Sequence, residues 1–152
     1  MMLVSYLNPT CRQPKMSCIL KENAFDCRVS SVLNKEVKSY GKQFMFDDSD
    51  ETCWNSDSGI PQWILINLKS ECELSRVEIQ FQGGFAGKTC RLEAKCDEKT
   101  LRHIQHFYPE DTNTIQTFKL DRPIRASGFK IIFEESTDFF GRIIIYKLSL
   151  HS

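Results

Sequence analysis

The stretch SRVEIQFQ, residues 75–82, alternates without a break: Val77, Ile79 and Phe81 fall on one side of an extended chain, Arg76, Glu78, Gln80 and Gln82 on the other. Successive side chains of a strand point to opposite faces, so this pattern reads as a β-strand with one buried face. The same period runs outward in both directions. QWILINL (62–68) sets Ile64, Ile66 and Leu68 against Trp63, Leu65 and Asn67. TCRLEAKC (89–96) aligns Cys90, Leu92, Ala94 and Cys96. TIQTFKL (114–120) and GFKIIFEE (128–135) follow, the second with Phe129, Ile131 and Phe133 inward. RIIIYKLSL (142–150) puts Ile144, Tyr146, Leu148 and Leu150 on one side. Turn-forming clusters separate the runs: Asp57-Ser58-Gly59, Gly83-Gly84, Pro109-Glu110-Asp111, Asp121-Arg122-Pro123 and Ser127-Gly128. Only Glu36 to Phe44 leaves room for a helical turn or two. About eight short strands with little helix predict an all-β sandwich or barrel rather than a βαβ fold.

A chain of 152 residues fits one domain. Residues 1–15 hold two prolines and no period, and read as a disordered N-terminal extension to a domain spanning 16–152. Twenty basic residues balance twenty acidic ones and no basic run appears, which argues against direct nucleic-acid binding. Seven cysteines at irregular spacing, without a signal peptide, point to free thiols in a reducing compartment. The longest strongly apolar run, Ile143 to Tyr146, is far too short to span a bilayer.

The acidic segment FDDSDETCWNSDSGIPQW (46–63) is the first candidate site. An EF-hand would place glycine sixth and glutamate twelfth; counted from Asp48 those positions are Cys53 and Gly59, so that reading fails. Paired catalytic carboxylates need a cleft that drives their pKa values apart, whereas consecutive acids on a polar loop are solvated. Cys90, Cys96, His103 and His106 are spaced poorly for zinc, and His103 and His106 would face opposite ways in a regular strand. FQGGFAGK (81–88) lies between strands, not before a helix, and reads as a hairpin with Phe85 at its tip rather than a phosphate cradle. No catalytic constellation emerges.

The order Asp47, Thr52, Trp54, Ser56 resembles the loop that opens discoidin-type and coagulation-factor type C domains, which are galactose-binding-like jelly rolls. PQWILINL, LSRVEIQF, SGFKIIFEES and GRIIIYKLSL resemble their core strands, over about Arg28 to Leu150. The resemblance implies a single-domain jelly-roll β-sandwich and a cation loop with Asp47, Ser49 and Thr52 as ligands. The family's Glu near the C-terminus has no counterpart in YKLSLHS. Hence we expect no cofactor: structural Ca²⁺ is the one candidate, and the competing expectation is a metal-free loop in which Asp47 accepts bonds from turn N–H groups.

RVSSVLN (28–34), DETCWNSD (50–57), IQFQGGF (79–85), FYPED (107–111) and TDFFGR (137–142) together resemble the nuclear receptor-associated family whose members partner testicular receptor four, an orphan nuclear receptor. What this implies is a non-catalytic, monomeric repressor, nuclear with the cytoplasm as second compartment. It would interfere with the receptor's DNA binding and contact neither nucleic acid nor membrane itself. No Leu-x-x-Leu-Leu helix is present, so docking would use loops or a sheet face. Phe139 and Phe140 cannot both face a core from one strand. Either Phe140 closes the end of the sandwich while Phe139 packs on Tyr108, or the pair binds a partner with Arg142 beside it, the usual make-up of hot spots. The candidate partner-binding residues are Phe85, Tyr108, Asp138, Phe139, Phe140 and Arg142. The alternative is a glycan or small-ligand module at the loop end, with Phe85, Arg102, Phe139 and Arg142 as its contacts.

Overall fold

The computed structural model describes residues 18–152; the expected extension, residues 1–15, lies outside them. Seven strands follow in antiparallel pairing: β1 (Phe25–Val29), β2 (Trp54–Asn55), β3 (Gln62–Phe81), β4 (Gly87–Ala94), β5 (Arg102–Phe107), β6 (Ile115–Ser136) and β7 (Ile144–His151). Among the described residues, helix is confined to α1 (Ile19–Glu22), α2 (Val37–Tyr40) and short 3₁₀ turns at Leu33–Lys35 and Lys42–Met45.

Two long strands make the sandwich. The first half of β3 pairs with β1 and with the end of β6; its second half pairs with β7 and with the start of β6. The register breaks between Asn67 and Cys72 and again between Leu74 and Arg76, where both strands bend from one layer into the other. One layer is therefore β1, β3, β6, β4, β5 and the other β2, β7, β3, β6. Four of the six apolar runs are the halves of two strands of 20 and 22 residues, so the six runs make four strands, and β1, β2 and β5 complete the seven. The turn signals Asp121-Arg122-Pro123 and Ser127-Gly128 sit inside β6, at its bend.

The inward face is the one the alternation predicts. Ile64, Ile66, Val77, Ile79, Phe81, Leu92, Phe129, Ile131 and Phe133 are buried in one core. Trp54 and Phe81 pack on the ring of Phe133, with centroids 6.5 and 6.0 Å away. β7 departs from the expected phase. Phe81 pairs with Ile145 while Gln80 pairs with Lys147, so a bulge at Tyr146 makes Ile143 and Ile145 the core residues ahead of Leu148 and Leu150. A second bulge, at Ile104, corrects the reading of the two histidines: His103 and His106 lie side by side with ring centroids 4.8 Å apart.

Six described cysteines are free. Burial pushes the Cys27 thiol up to about 12 and raises that of Cys90; both are small core residues held as thiols. Near the end of β7, burial lowers the His151 pKa below its usual 6.5 despite Glu78 Oε1 at 3.2 Å. The unfolded chain therefore binds more protons just below pH 6.5, so this contribution to stability is present above that pH and is lost as pH falls through the depressed value. His151→Phe should flatten that acid limb, read as unfolding midpoint against pH; an unchanged slope would exclude His151 as its source.

Candidate functional site

Both ends of β3, the end of β5, both ends of β6 and the start of β7 arrive at one end of the sandwich, carrying loops 55–61, 82–86, 108–114 and 137–142. Side chains fasten these loops to one another. Gly84 N–H donates to Asp111 Oδ1 at 2.7 Å and Gly83 N–H to Asn113 Oδ1, tying the 82–86 hairpin to the 108–114 loop. Gly84 adopts φ +93°, a conformation glycine takes without penalty, in the turn closed by Phe85 N–H on the Gln82 carbonyl at 3.0 Å. Thr137 donates its hydroxyl proton to Asp111 Oδ1 at 3.1 Å and accepts Ala86 N–H at 3.0 Å.

The TDFFGR segment is a tight turn built by its own polar residues. Gly141 N–H donates to the Asp138 carbonyl at 3.0 Å, and Arg142 N–H to Asp138 Oδ2 at 3.0 Å. Asp at the first position and Gly at the last suit such a turn. Ser136 Oγ accepts Asp138 N–H and donates to the Arg142 carbonyl. Phe139 and Phe140 occupy the two central positions, so neither is drawn into the core. Phe139 is 93% exposed and Phe140 66%, with their rings edge to face at 5.2 Å. Neither closes the sandwich end. Tyr108 is also exposed, its ring stacked at 6.4 Å on His106 rather than on Phe139. Ile60, 55% exposed, shares a hollow of about 240 Å³ with the two phenylalanines, Lys88, Glu135 and Asp138.

What holds this turn in place is Gln62, a buried polar residue that sequence reasoning missed. Its Oε1 accepts the Ser30 and Ser31 hydroxyls at 2.5 and 2.8 Å. Its Nε2 donates to the carbonyls of Asp57 and Gly59 at 3.0 and 2.7 Å. Gly59 N–H then donates to the Phe140 carbonyl at 2.7 Å. The two loops approach so closely that a Cβ on Gly141, itself at φ +85°, would meet the Gly59 carbonyl carbon at 2.8 Å.

Two candidates are placed differently from expectation. Phe85 is half-buried rather than an exposed tip, because the Arg142 guanidinium covers its ring at 4.8 Å. Arg102 pairs with Ala94, at the far end of β5 from the loops, so the glycan contacts do not converge with it included.

Within the acidic loop Asp48 and Asp50 reach outward to Lys21 and Lys147, at 3.3 and 3.2 Å, while Asp47 turns inward on the loop itself. Asp47 Oδ1 accepts Ser49 N–H at 3.2 Å, Asp47 Oδ2 accepts the Thr52 hydroxyl at 2.5 Å, and Ser49 Oγ accepts Glu51 N–H. Asp47 Oδ2 and the Thr52 hydroxyl are bonded to each other and Asp47 Oδ1 to Ser49 N–H, so the carboxylate ties the turn together. Among the described residues, no three His, Cys, Asp or Glu side chains are grouped to hold a metal ion.

Residues 28–145 match the F5/8 type C domain family model. An F5/8 type C domain from Bacteroides fragilis shares the fold at TM-score 0.79, with 15% identity over 92% of this chain and 98% of that one. CpGH89CBM32-5 from Clostridium perfringens, solved in complex with GalNAc-β-1,3-galactose, does so at TM-score 0.76, with 17% identity over 90% of this chain and all of that one. Two curated relatives are much nearer in sequence, both called nuclear receptor 2C2-associated protein. The Danio rerio protein is 52% identical over 84% of this chain and 91% of its own length. The Homo sapiens protein is 45% identical over 80% and 86%. By sequence and by fold, the chain belongs to the nuclear receptor 2C2-associated protein family, built on an F5/8 type C jelly-roll domain.

Proposed function

We propose that this chain is a non-catalytic interaction module that associates with an orphan nuclear receptor and lowers the receptor's hold on its DNA element. The observation that carries the reading is Phe139 and Phe140, exposed at the apex of a turn fixed by side-chain hydrogen bonds, in a chain whose relatives are named for receptor association. Aromatic anchors on a rigid support contribute most of the energy of small interfaces, because little side-chain freedom remains to be lost on binding. In this reading Phe139, Phe140 and Ile60 enter the partner, Tyr108 lies at the rim, and Asp138, Arg142 and Phe85 hold the turn. The domain starts near Met16 and works as a monomer in the nucleus, with the cytoplasm as a second compartment.

The test is binding of the purified 152-residue chain to the full-length receptor, with and without its DNA element. Saturable binding that competes with DNA is the expected result. Phe139→Ala/Phe140→Ala should weaken it by about a hundredfold, roughly 3 kcal/mol, and leave the unfolding free energy within about 0.5 kcal/mol. Absence of saturable binding at tens of micromolar would remove the receptor reading.

A further inference from the structure

On one flank of the sandwich two sheet edges face each other without joining. Among the described residues, β5 pairs with β4 alone, and residues 115–119 of β6 pair with β3 alone. Inside, Phe107 and Phe118 close the gap, with ring centroids 4.7 Å apart. Outside, the Gln105 side chain spans it, and past the end of β5 the Gln116 amide makes a similar bridge to the Glu110 N–H and carbonyl, both at 2.8 Å. Gln105 Oε1 accepts Asp121 N–H at 2.9 Å and Gln105 Nε2 donates to the Lys119 carbonyl at 3.2 Å. These are the N–H and C=O on either side of Leu120, the two groups that one residue of a parallel strand would engage. A side-chain amide thus stands where a strand's peptide groups would sit.

Beside it lies a cleft of about 330 Å³ with Ile104 and Ile124 in its floor and Arg102, His103 and Arg122 in its walls. Lys119 adds a further cation nearby, against the carboxylate of Asp121 in the cleft and that of Asp97, which feels the charge of Arg102. Arg102 directs an N–H at the Cys96 sulfur 3.5 Å away, and Arg122 and Lys119 are in no ion pair among the described residues.

We propose that this seam binds an extended segment of a protein partner as an added strand, parallel to β6, with alternating apolar and acidic side chains. Its backbone takes over the bonds now made by the Gln105 amide. Its apolar side chains cover Ile104 and Ile124, and its carboxylates meet Arg102 and Arg122. Main-chain bonding at a free edge supplies affinity and the alternating side chains supply selectivity. The chain's own residues 1–17 carry Arg12 and Lys15 and no acid, the wrong sign for this cleft. The surface is separate from the Phe139 turn and does not depend on the receptor reading.

The probe is a capped nine-residue peptide alternating valine and glutamate, added to the full 152-residue chain and followed by amide hydrogen exchange and NMR shifts. Expected results are saturable protection of the outward amides of β5 and of residues 115–121, and movement of the Gln105 side-chain NH₂ signals. Arg102→Glu/Arg122→Glu should weaken binding by about tenfold or more. Gln105→Ala should bind about threefold more tightly, since no amide has to be displaced. The idea is overturned by absence of protection at millimolar peptide, by equal binding of a valine-lysine or backbone-N-methylated peptide, or by full binding to the double Glu variant. Protection that grows with protein concentration in the absence of peptide would overturn it in favour of a second copy at the seam.

Discussion

Trp54→Ala should lower the unfolding free energy by about 3–5 kcal/mol, the largest loss expected from any single core truncation here. Trp54 is fully buried, and it belongs to a strand of only two residues that pairs with Ile144 and Ile145. So short a strand has little ladder of its own to hold it, and the indole is what anchors it. The ring packs on Phe133, and its Nε1 donates to the Ser31 carbonyl at 2.9 Å, joining the 30–35 turn to the core. Alanine leaves a large cavity and an unpaired carbonyl together. Trp54→Phe fills part of the space without restoring the donor, and should recover about half of the loss. Urea unfolding with unchanged m-values would measure both. A loss below about 1 kcal/mol for alanine would mean that the core collapses around the gap, and that β2 is held by its neighbours.

Much of this architecture was legible because one physical signal dominates it. A strand with one buried face must alternate, and Val77, Ile79 and Phe81, or Phe129, Ile131 and Phe133, do so over lengths that nothing else explains. The errors occur where the backbone changes phase. The bulges at Tyr146 and Ile104 each insert one unpaired residue, so every side chain beyond them switches face while the composition stays the same. The bends in β3 and β6 read as turns because Asp, Pro, Ser and Gly serve both purposes, and only pairing across the whole sheet distinguishes a corner from a hairpin.

The site was legible in part, for a related reason. That Phe139 and Phe140 could not both be core follows from strand geometry, and their flanking Asp138 and Gly141 mark a turn. That both stand in solvent required knowing which turn positions they occupy. Phe85 looked like a loop tip because its position in the hairpin is visible in the sequence, whereas the Arg142 that covers it is 57 residues away. Gln62 left one usable mark: it is a polar residue in phase with Ile64, Ile66 and Leu68 on the buried face of its strand. A buried amide needs partners for all of its groups, so that mark alone announces a knot of loop backbone around it.

The second large effect is expected at that knot. Gln62→Leu keeps the side chain's approximate volume and removes its hydrogen-bonding groups. The hydroxyl protons of Ser30 and Ser31 lose their acceptor, and the Asp57 and Gly59 carbonyls lose a donor, around a buried side chain whose partners are themselves half-buried or, at Gly59, exposed. Losing these four bonds, with water able to reach some of the freed groups, should lower stability by about 1–3 kcal/mol. The consequence for function is more specific than the loss of stability. Gly59 N–H holds the Phe140 carbonyl, so loosening residues 57–60 releases the turn that presents the two phenylalanines. Amide exchange in 57–61 and 138–142 should quicken well before the rest of the molecule opens. Receptor affinity should fall under conditions where Gln62→Leu is still folded, because a mobile turn has to be ordered on binding. Placed on top of Phe139→Ala/Phe140→Ala, the same change should reduce binding no further, since there is no aromatic pair left to present. An additive loss in that cycle would show that Gln62 acts on some other surface, and the chain of contacts from Gln62 through Gly59 to Phe140 would then be structural alone.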